Sequence, residues 1–318
     1  MRTKAMTIPT PKKSNYPQFP LYIPSKGRFE YMITSKALSA MGVKHFVVCE
    51  PSEYDNYVAA SEGLLCEILP MDMSFKERYE LCDDLGLSRS TGPGPARNFI
   101  WEHSKAAGFA WHWVMDDNIR KFFRLNKNLK TPANSPAIWR AMEDFVLRYS
   151  NVAMAGPNYF MFAPRKTKQP PFVINTRIYS CNLIRNDVPY RWRGRYNEDT
   201  ILSVDMLKGG YCTIQFNAFL QEKMGTQVLK GGNTDEFYHV EGEQVEGKRY
   251  TDTGTLAKSK MIVDVHPDVS QIVRRFKRIH HYVDYGRFKG TKLKKRPDLN
   301  IKSGVNNYGM KLVVTPKA

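Results

Sequence analysis

Two adjacent carboxylates and an amide, Asp116-Asp117-Asn118, follow the apolar run Trp113-Val114-Met115. Neighbouring carboxylates repel, and a chain tolerates the pair where a hard divalent cation, Mn2+ or Mg2+, takes their oxygens and keeps open positions for phosphate. The carboxyl end of a strand in an open α/β sheet is where such ligands bind. Asp116 and Asp117 are therefore candidate metal ligands. The competing reading is a polar turn after a buried strand.

Two upstream loops carry groups suited to a nucleotide. Leu21-Tyr22-Ile23 leads into Pro24-Ser25-Lys26-Gly27-Arg28, whose hydroxyl, two cations and glycine fit a base, ribose and phosphates. Gly92-Pro93-Gly94-Pro95 enters a helix with Arg97 and Asn98 in its first turn. The guanidinium offers a fork for phosphate or sugar oxygens, and the helix N-terminus adds partial positive charge. Either loop alone is ordinary punctuation, but their order ahead of Asp116 argues for one site. Further on, Tyr196-Asn197-Glu198-Asp199-Thr200 opens a helix, and its polar residues suit a helix start whether or not they react.

The elements that must position these groups follow from periodicity. β-Rich runs at 21–23, 45–49 and 65–69 flank a helical pattern over 31–41 that stops at Gly42. Helices are predicted over 96–106, 138–149 and 200–208, strands over 109–115, 152–155 and 211–218, and weakly paired strands over 173–184. This rhythm implies βαβ units, hence an α/β fold with a mixed, mostly parallel sheet flanked by helices. Residues 160–172 read as a loop, and 225–262 as a long functional loop closed by a helix through Ser259. The Pro- and Lys-containing stretch 1–18 reads as a flexible leader, 19–265 as a catalytic domain, and 266–318 as a basic C-terminal extension.

With 318 residues, 42% of them hydrophobic, the chain can bury one large core. No apolar run approaches the ~20 residues of a membrane span, and the N-terminus lacks a secretory apolar segment. The expectation is a cytoplasmic protein with no membrane contact. Five cysteines without CxxC spacing argue against a disulfide framework or structural zinc. Against 31 Asp and Glu stand 48 Lys and Arg, a net charge of +17, which is the footprint of a polyanion binder. Cations cluster at Arg274, Arg275 and Arg278 and again from Lys289 to Arg296, interleaved with His280, His281, Tyr282, Tyr285 and Phe288. Phosphate-contacting cations alternating with rings that stack on bases are what a DNA-binding surface requires. Arg191, Arg193 and Arg195 add three cations just before Glu198. All of these, with Lys289, are candidate nucleic-acid contacts.

The Ile-Pro-Ser-Lys-Gly-Arg opening, Ala96-Arg97-Asn98, Asp116-Asp117-Asn118, Asn197-Glu198-Asp199-Thr200, Gly231-Gly232-Asn233 and the basic His-His stretch together resemble a GT-A fold glycosyltransferase. Among these, the pattern is similar to the phage TET-associated glycosyltransferases, which decorate hydroxymethylated DNA bases. The resemblance runs from about residue 19 to about residue 290. It implies a GT-A-like, Rossmann-like sheet, a nucleotide-sugar donor such as a UDP-sugar, Mn2+ or Mg2+, and an acceptor such as 5-hydroxymethylcytosine in DNA. By resemblance, the metal falls on Asp116 and Asp117, and the donor on Pro24, Ser25, Lys26, Arg28, Arg97, Asn98 and Asp116. A C-terminal histidine often completes the metal site in these enzymes, and His281 is the candidate ahead of His280 and His266. The Glu198-Asp199 pair is similar to the family's second acidic motif, which faces the acceptor hydroxyl. An inverting transfer needs a general base there, and Asp199 stands ahead of Glu198. Asn118 departs from a strict Asp-x-Asp motif.

If the acceptor base sits in a duplex, the enzyme must extrude it or widen the groove, and Tyr159, Phe160, Trp192 and Tyr282 are candidate rings. Two rival readings remain. One is a GT-A enzyme acting on a glycan or small molecule. The other is a non-catalytic nucleic-acid-binding protein whose acidic motifs are turns.

Overall fold

The computed structural model describes residues 14–83, 90–126, 128–163, 169–224, 253–275 and 278–299. Leu21–Pro24 (β1), Ile33–Ala40 (α1), His45–Cys49 (β2), Tyr54–Ala60 (α2) and Cys66–Pro70 (β3) form the first half. Ser74–Glu77 (α3), Gly94–Ala106 (α4), Trp111–Met115 (β4), Ile119–Asn126 (β5), Leu129–Pro132 (β6), Ala137–Val146 (α5) and Val152–Tyr159 (β7) follow. Then come Phe172–Ile174 (β8), Cys181–Arg185 (β9), Glu198–Lys208 (α6), Cys212–Lys223 (β10), Thr253–Val265 (α7), Ser270–Arg275 (β11) and Arg278–Val283 (β12).

The sheet has ten strands in the order β3-β2-β1-β4-β9-β7-β10-β5-β6, with β8 on β10. Seven strands (β1, β2, β3, β4, β6, β7 and β10) share a direction, and β5, β8 and β9 run against them. The carboxyl ends of β1, β4, β7 and β10 therefore open on one edge. Strand period 2 sorts the core into two layers. Leu21, Ile23, Val47, Trp113 and Met115 pack with Leu38 of α1 and Trp139 and Met142 of α5. Tyr22, Val48 and Val114 pack with Ile100 and Trp101 of α4 and Leu202 and Met206 of α6. Helices thus cover both faces, as the α/β reading requires. No helix among the described residues is long and apolar enough to cross a membrane.

Several elements differ from their sequence readings. The hairpin β5–β6 had no counterpart, because Ile119, Phe122 and Phe123 are the buried positions of β5 and so break strict alternation. The weakly alternating 173–184 are two strands, but β8 pairs with β10 and β9 lies between β4 and β7, so they do not pair with each other. β10 continues past Ala218 to Lys223 through an irregularity between Phe216 and Leu220, which interrupts its period. α7 runs beyond Ser259 to Val265. Residues 1–13 of the leader and the Gly231-Gly232-Asn233 loop lie outside the described residues.

The C-terminal basic region is built into the fold in two parts. Val269 just before β11, Val283 of β12 and Phe288 beyond it pack with Ile201 and Val204 of α6 and Met261 and Ile262 of α7. The chain then passes under the amino ends of β7 and β10. There the Asn175 amide donates to the carbonyls of Phe288 and Thr291 at 2.8 Å, and the Asn151 amide to that of Lys292 at 2.9 Å. The cations from Lys289 to Arg296 therefore line the edge opposite Asp116.

Glu143 of α5 ties the start of the chain to β4. Its carboxylate accepts from the backbone N–H of Gln18 (2.7 Å) and Phe19 (3.3 Å) and from the Trp113 indole (2.9 Å). Burial outweighs these donors and pushes its pKa up to about 7. A raised carboxyl favours the fold while protonated, so its contribution is complete below the unfolded pKa of about 4.5 and is lost as pH rises through about 7. Buried His45 and His112, whose pKa values burial lowers to about 4, act in the opposite sense as pH falls. The informative quantity is thus the difference between two chains. Denaturant unfolding should show wild type losing up to about 3 kcal/mol relative to Glu143→Gln between about pH 5 and about pH 8. A pH-independent difference would remove the protonated carboxyl from the account.

Candidate active site

The Asp116-Asp117 turn leaves β4 with its backbone pinned. Asp116 N–H donates to the Ser180 carbonyl (2.7 Å), the Thr34 hydroxyl donates to the Asp116 carbonyl (2.7 Å), and Thr34 N–H donates to the Asp117 carbonyl (3.2 Å). The turn thereby sends the two carboxylates to different cations. Asp116 is 2.7 Å from Arg97 Nη2 through Oδ1 and 2.6 Å from Lys223 Nζ through Oδ2. Asp117 is 2.7 Å from Arg28 Nη1 and accepts from the Ser25 hydroxyl at 2.9 Å. Tyr57 donates to Ser25 Oγ at 2.8 Å, holding the loop after β1 against the end of β4.

Arg97 is only 3% exposed. Its Nη1 meets Glu198 Oε1 at 2.9 Å, and its guanidinium lies 4.5 Å from the centroid of the buried Trp192 ring. α4 can bring it there because Gly94 has no side chain: a Cβ would stand 1.8 Å from the Tyr79 hydroxyl, which itself donates to the Gly194 carbonyl. Burial raises the Asp116 carboxyl, but Lys223 and Arg97 outweigh it and hold the pKa well below the ordinary carboxylate range. At Asp117 burial wins over Arg28 and Ser25, and the pKa is raised. Glu198 is raised too, by burial and by Asp199, with Arg97 opposing. Burial would lower Lys223, yet Asp116 keeps it charged and above the usual lysine range.

Asp199 differs from its neighbours. Its side chain has no hydrogen-bond or ion-pair partner among the described residues, although its charge is felt at Arg97, Lys223, Tyr159 and Tyr285. Asn197, at the cap position of α6, uses its amide on the Lys258 carbonyl of α7 (2.6 Å) instead of capping the helix, and the following turn faces the cleft. Lys223 and Ser180 had no role in the sequence reading, and Tyr159 and Tyr285 were candidate base-facing rings with no part in the carboxylate cluster. Ser180 sits at φ 57, a left-handed conformation that few non-glycine residues adopt and that marks stored local strain. Its hydroxyl joins Tyr159 (2.6 Å) to Lys223 (3.1 Å). Only the unpredicted extension of β10 brings Lys223 to this edge, so periodicity offered no signal for it.

Other sequence candidates have different surroundings. Asn98 clasps the backbone of Trp192 from both sides, donating to its carbonyl at 2.9 Å and accepting from its N–H at 3.0 Å, so both ends of the amide are occupied. Lys26 pairs with Glu50 at 3.1 Å. Pro24 closes β1 as a buried residue. The reading of Arg191, Arg193 and Arg195 as a cationic DNA surface is corrected. Arg195 is 1% exposed and held by Asp83, Arg193 is held by Asp205 and Glu80, and Arg191 is held by Glu102. Their partners lie far away in sequence or on another element. Trp192, also buried, cannot meet a base. Arg274 and Arg275 are exposed on β11, Tyr282 is exposed on β12, and Lys289 is exposed on the segment leading to the far edge.

The oxygens at the turn suit a hard divalent cation in kind: two carboxylates and Asn118 Oδ1, which is buried without a hydrogen-bond partner. Asp116, Asp117, Glu198 and Asp199 also outnumber Arg28, Arg97 and Lys223 by one. Lys223 and Arg28 hold oxygens that a metal would take. Among the described residues no group of three or more His, Cys, Asp or Glu side chains stands ready for one. His281 is accordingly not gathered with the Asp pair. It lies opposite Ile272 in the hairpin, and burial with Arg177 and Lys258 lowers its pKa to about 4, leaving a neutral imidazole.

A mixed sheet flanked by helices, with an acidic turn and cations at the carboxyl end of its central strand, is an α/β arrangement with a polar edge suited to a ligand. A model of the TET-associated glycosyltransferase family matches residues 19–232, and the chain belongs to that family. A comparison with individual curated proteins finds no match. Membership brings a nucleotide-sugar donor and an acceptor, and the matched span contains Arg97, Asp116, Asp117, Glu198, Asp199 and Lys223.

Removing one member of a buried ion pair strands the other, at about 3–5 kcal/mol. Arg97→Met should therefore destabilise the fold by that order in chemical denaturation, and Glu198→Gln in the same chain should restore part of the loss. Simple additivity of the two substitutions would show that the pair does not couple.

Proposed function

We propose that the enzyme transfers a sugar from a nucleotide-sugar, in the first instance a UDP-sugar, to the hydroxymethyl group of a DNA base such as 5-hydroxymethylcytosine. The observation that carries this reading is the unpartnered Asp199 carboxylate beside the Arg97-Asp116-Lys223 cluster. In an inverting displacement the acceptor oxygen bonds to the anomeric carbon as the bond from that carbon to the diphosphate breaks. The hydroxyl proton passes to Asp199, and the nucleoside diphosphate departs toward the cations. Glu198 is held by Arg97 and serves as its anchor, leaving Asp199 the general base.

Ser25, Lys26 and Arg28 line the donor side on the loop after β1. Asp116 and Asp117, with the Asn118 amide oxygen, would hold Mn2+ or Mg2+, which supplies neutralisation of the diphosphate when bound. The DNA acceptor is supported by the net charge of +17 and by Arg274, Arg275 and Tyr282 exposed on the hairpin that packs beside α6. Such an acceptor places the enzyme in the cytoplasm.

Mass spectrometry should detect a hexose-sized addition to hydroxymethylated DNA and none to unmodified DNA, with activity lost on chelation and restored by Mn2+. Asp199→Asn should lower kcat by about 10²–10⁴ while donor binding persists. Asp117→Ala should abolish donor hydrolysis. Donor turnover with a glycan and none with DNA would move the acceptor reading to the glycan class.

A further inference from the structure

The edge that carries Lys223 also carries two of the most exposed large apolar side chains among the described residues. Met161 is 77% exposed and Phe162 is 51% exposed, on the single helical turn that follows β7. Packing does not explain them, and exposed apolar groups at a site edge cost solubility unless something covers them. A row of rings leads from them into the cleft. Phe162 meets Tyr159 edge-on at 5.4 Å, and Tyr159 lies against Tyr179 at 5.2 Å and 30°. Arg177 caps Tyr179 at 4.2 Å. Tyr159 is the hinge of the row, since its hydroxyl is 2.6 Å from Ser180 Oγ and through it reaches Lys223 and Asp116. Phe162 is thus one ring and one hydroxyl away from the reacting centre. Lys130, 4.1 Å over the Phe160 ring, adds a second cation beside the helical turn that carries Met161 and Phe162.

We propose that Met161 and Phe162 form a wedge that enters a DNA duplex beside the target base and fills the space left when that base swings into the cleft. The occupant is fixed by chemistry. Exposed apolar and aromatic side chains with cations nearby suit stacked bases and their phosphates, and Met and Phe are side-chain types that unstack base steps. Extrusion would carry the hydroxymethyl group of a duplex base into the cleft beside Asp199, and the wedge would offset part of the lost stacking. This inference rests on the DNA-acceptor reading above.

The test compares the full-length enzyme with its Met161→Ala/Phe162→Ala variant, whose substitutions are exposed and leave the core intact. Acceptors are one hydroxymethylated sequence, single-stranded and as a duplex with 2-aminopurine next to the target. The variant should lose about tenfold or more on the duplex and stay within about twofold of wild type on the single strand. Wild-type binding should raise 2-aminopurine fluorescence, and the variant should not. Equal rates on the duplex, or an equal loss on both acceptors, would overturn the wedge. If wild type hydrolyses donor but modifies neither DNA, the acceptor reading fails and the wedge falls with it.

Discussion

A guanidinium taken out of water must be met by negative charge, and Arg97 is where this fold meets that demand. Its two arms reach Asp116 at the end of β4 and Glu198 at the start of α6, and its face lies on Trp192. Three segments more than a hundred residues apart at their extremes are fixed to one another by a single side chain. The geometry leaves little freedom, because stranding any one of these buried charges costs more than most single contacts contribute. Gly94 and Tyr79 serve the same end, since the helix carrying Arg97 can approach only where a Cβ is absent.

The second oxygen of Asp116 repeats the arrangement with Lys223. The two adjacent carboxylates are accommodated side by side because the pinned turn aims them at separate cations. Once Asp116, Asp117 and Glu198 are matched in this way, Asp199 is the carboxylate left over. The general-base role proposed for Asp199 rests on this arithmetic of partners as much as on position. The sheet makes that arithmetic possible by bringing the carboxyl ends of β1, β4, β7 and β10 to one edge.

The parts of this site that the sequence disclosed are those whose pattern is local. Trp113-Val114-Met115 before Asp116 reads as a buried strand ending in acid, and the two-layer packing of β1, β2 and β4 bears out the α/β fold. Lys223 was hidden because the irregularity in β10 shifts the period just before it, and Ser180 because a strained φ leaves no mark on composition. The arginines at 191, 193 and 195 misled for a related reason. Three cations in five residues look like a surface until Glu102, Asp205, Glu80 and Asp83 are seen around them. Charge pattern along a chain reports what must be neutralised, and only the fold decides by what.

The same distinction bears on the excess of positive charge. A strand of five to eight residues is roughly 17–26 Å long, and charges are screened over about 8 Å at physiological salt. The cations from Lys289 to Arg296 run along the amino ends of β7 and β10, a full strand length from Asp116. Their field at the reacting centre is therefore small, and they cannot share in balancing a departing diphosphate. The cations at the Asp116 turn are Arg28, Arg97 and Lys223, each matched to a carboxylate. A polyanion many strand lengths long, by contrast, can touch the hairpin side and the far edge together. The sheet thus separates the cations matched to carboxylates at the Asp116 turn from those on its far edge, and under the DNA reading only a long partner would meet both.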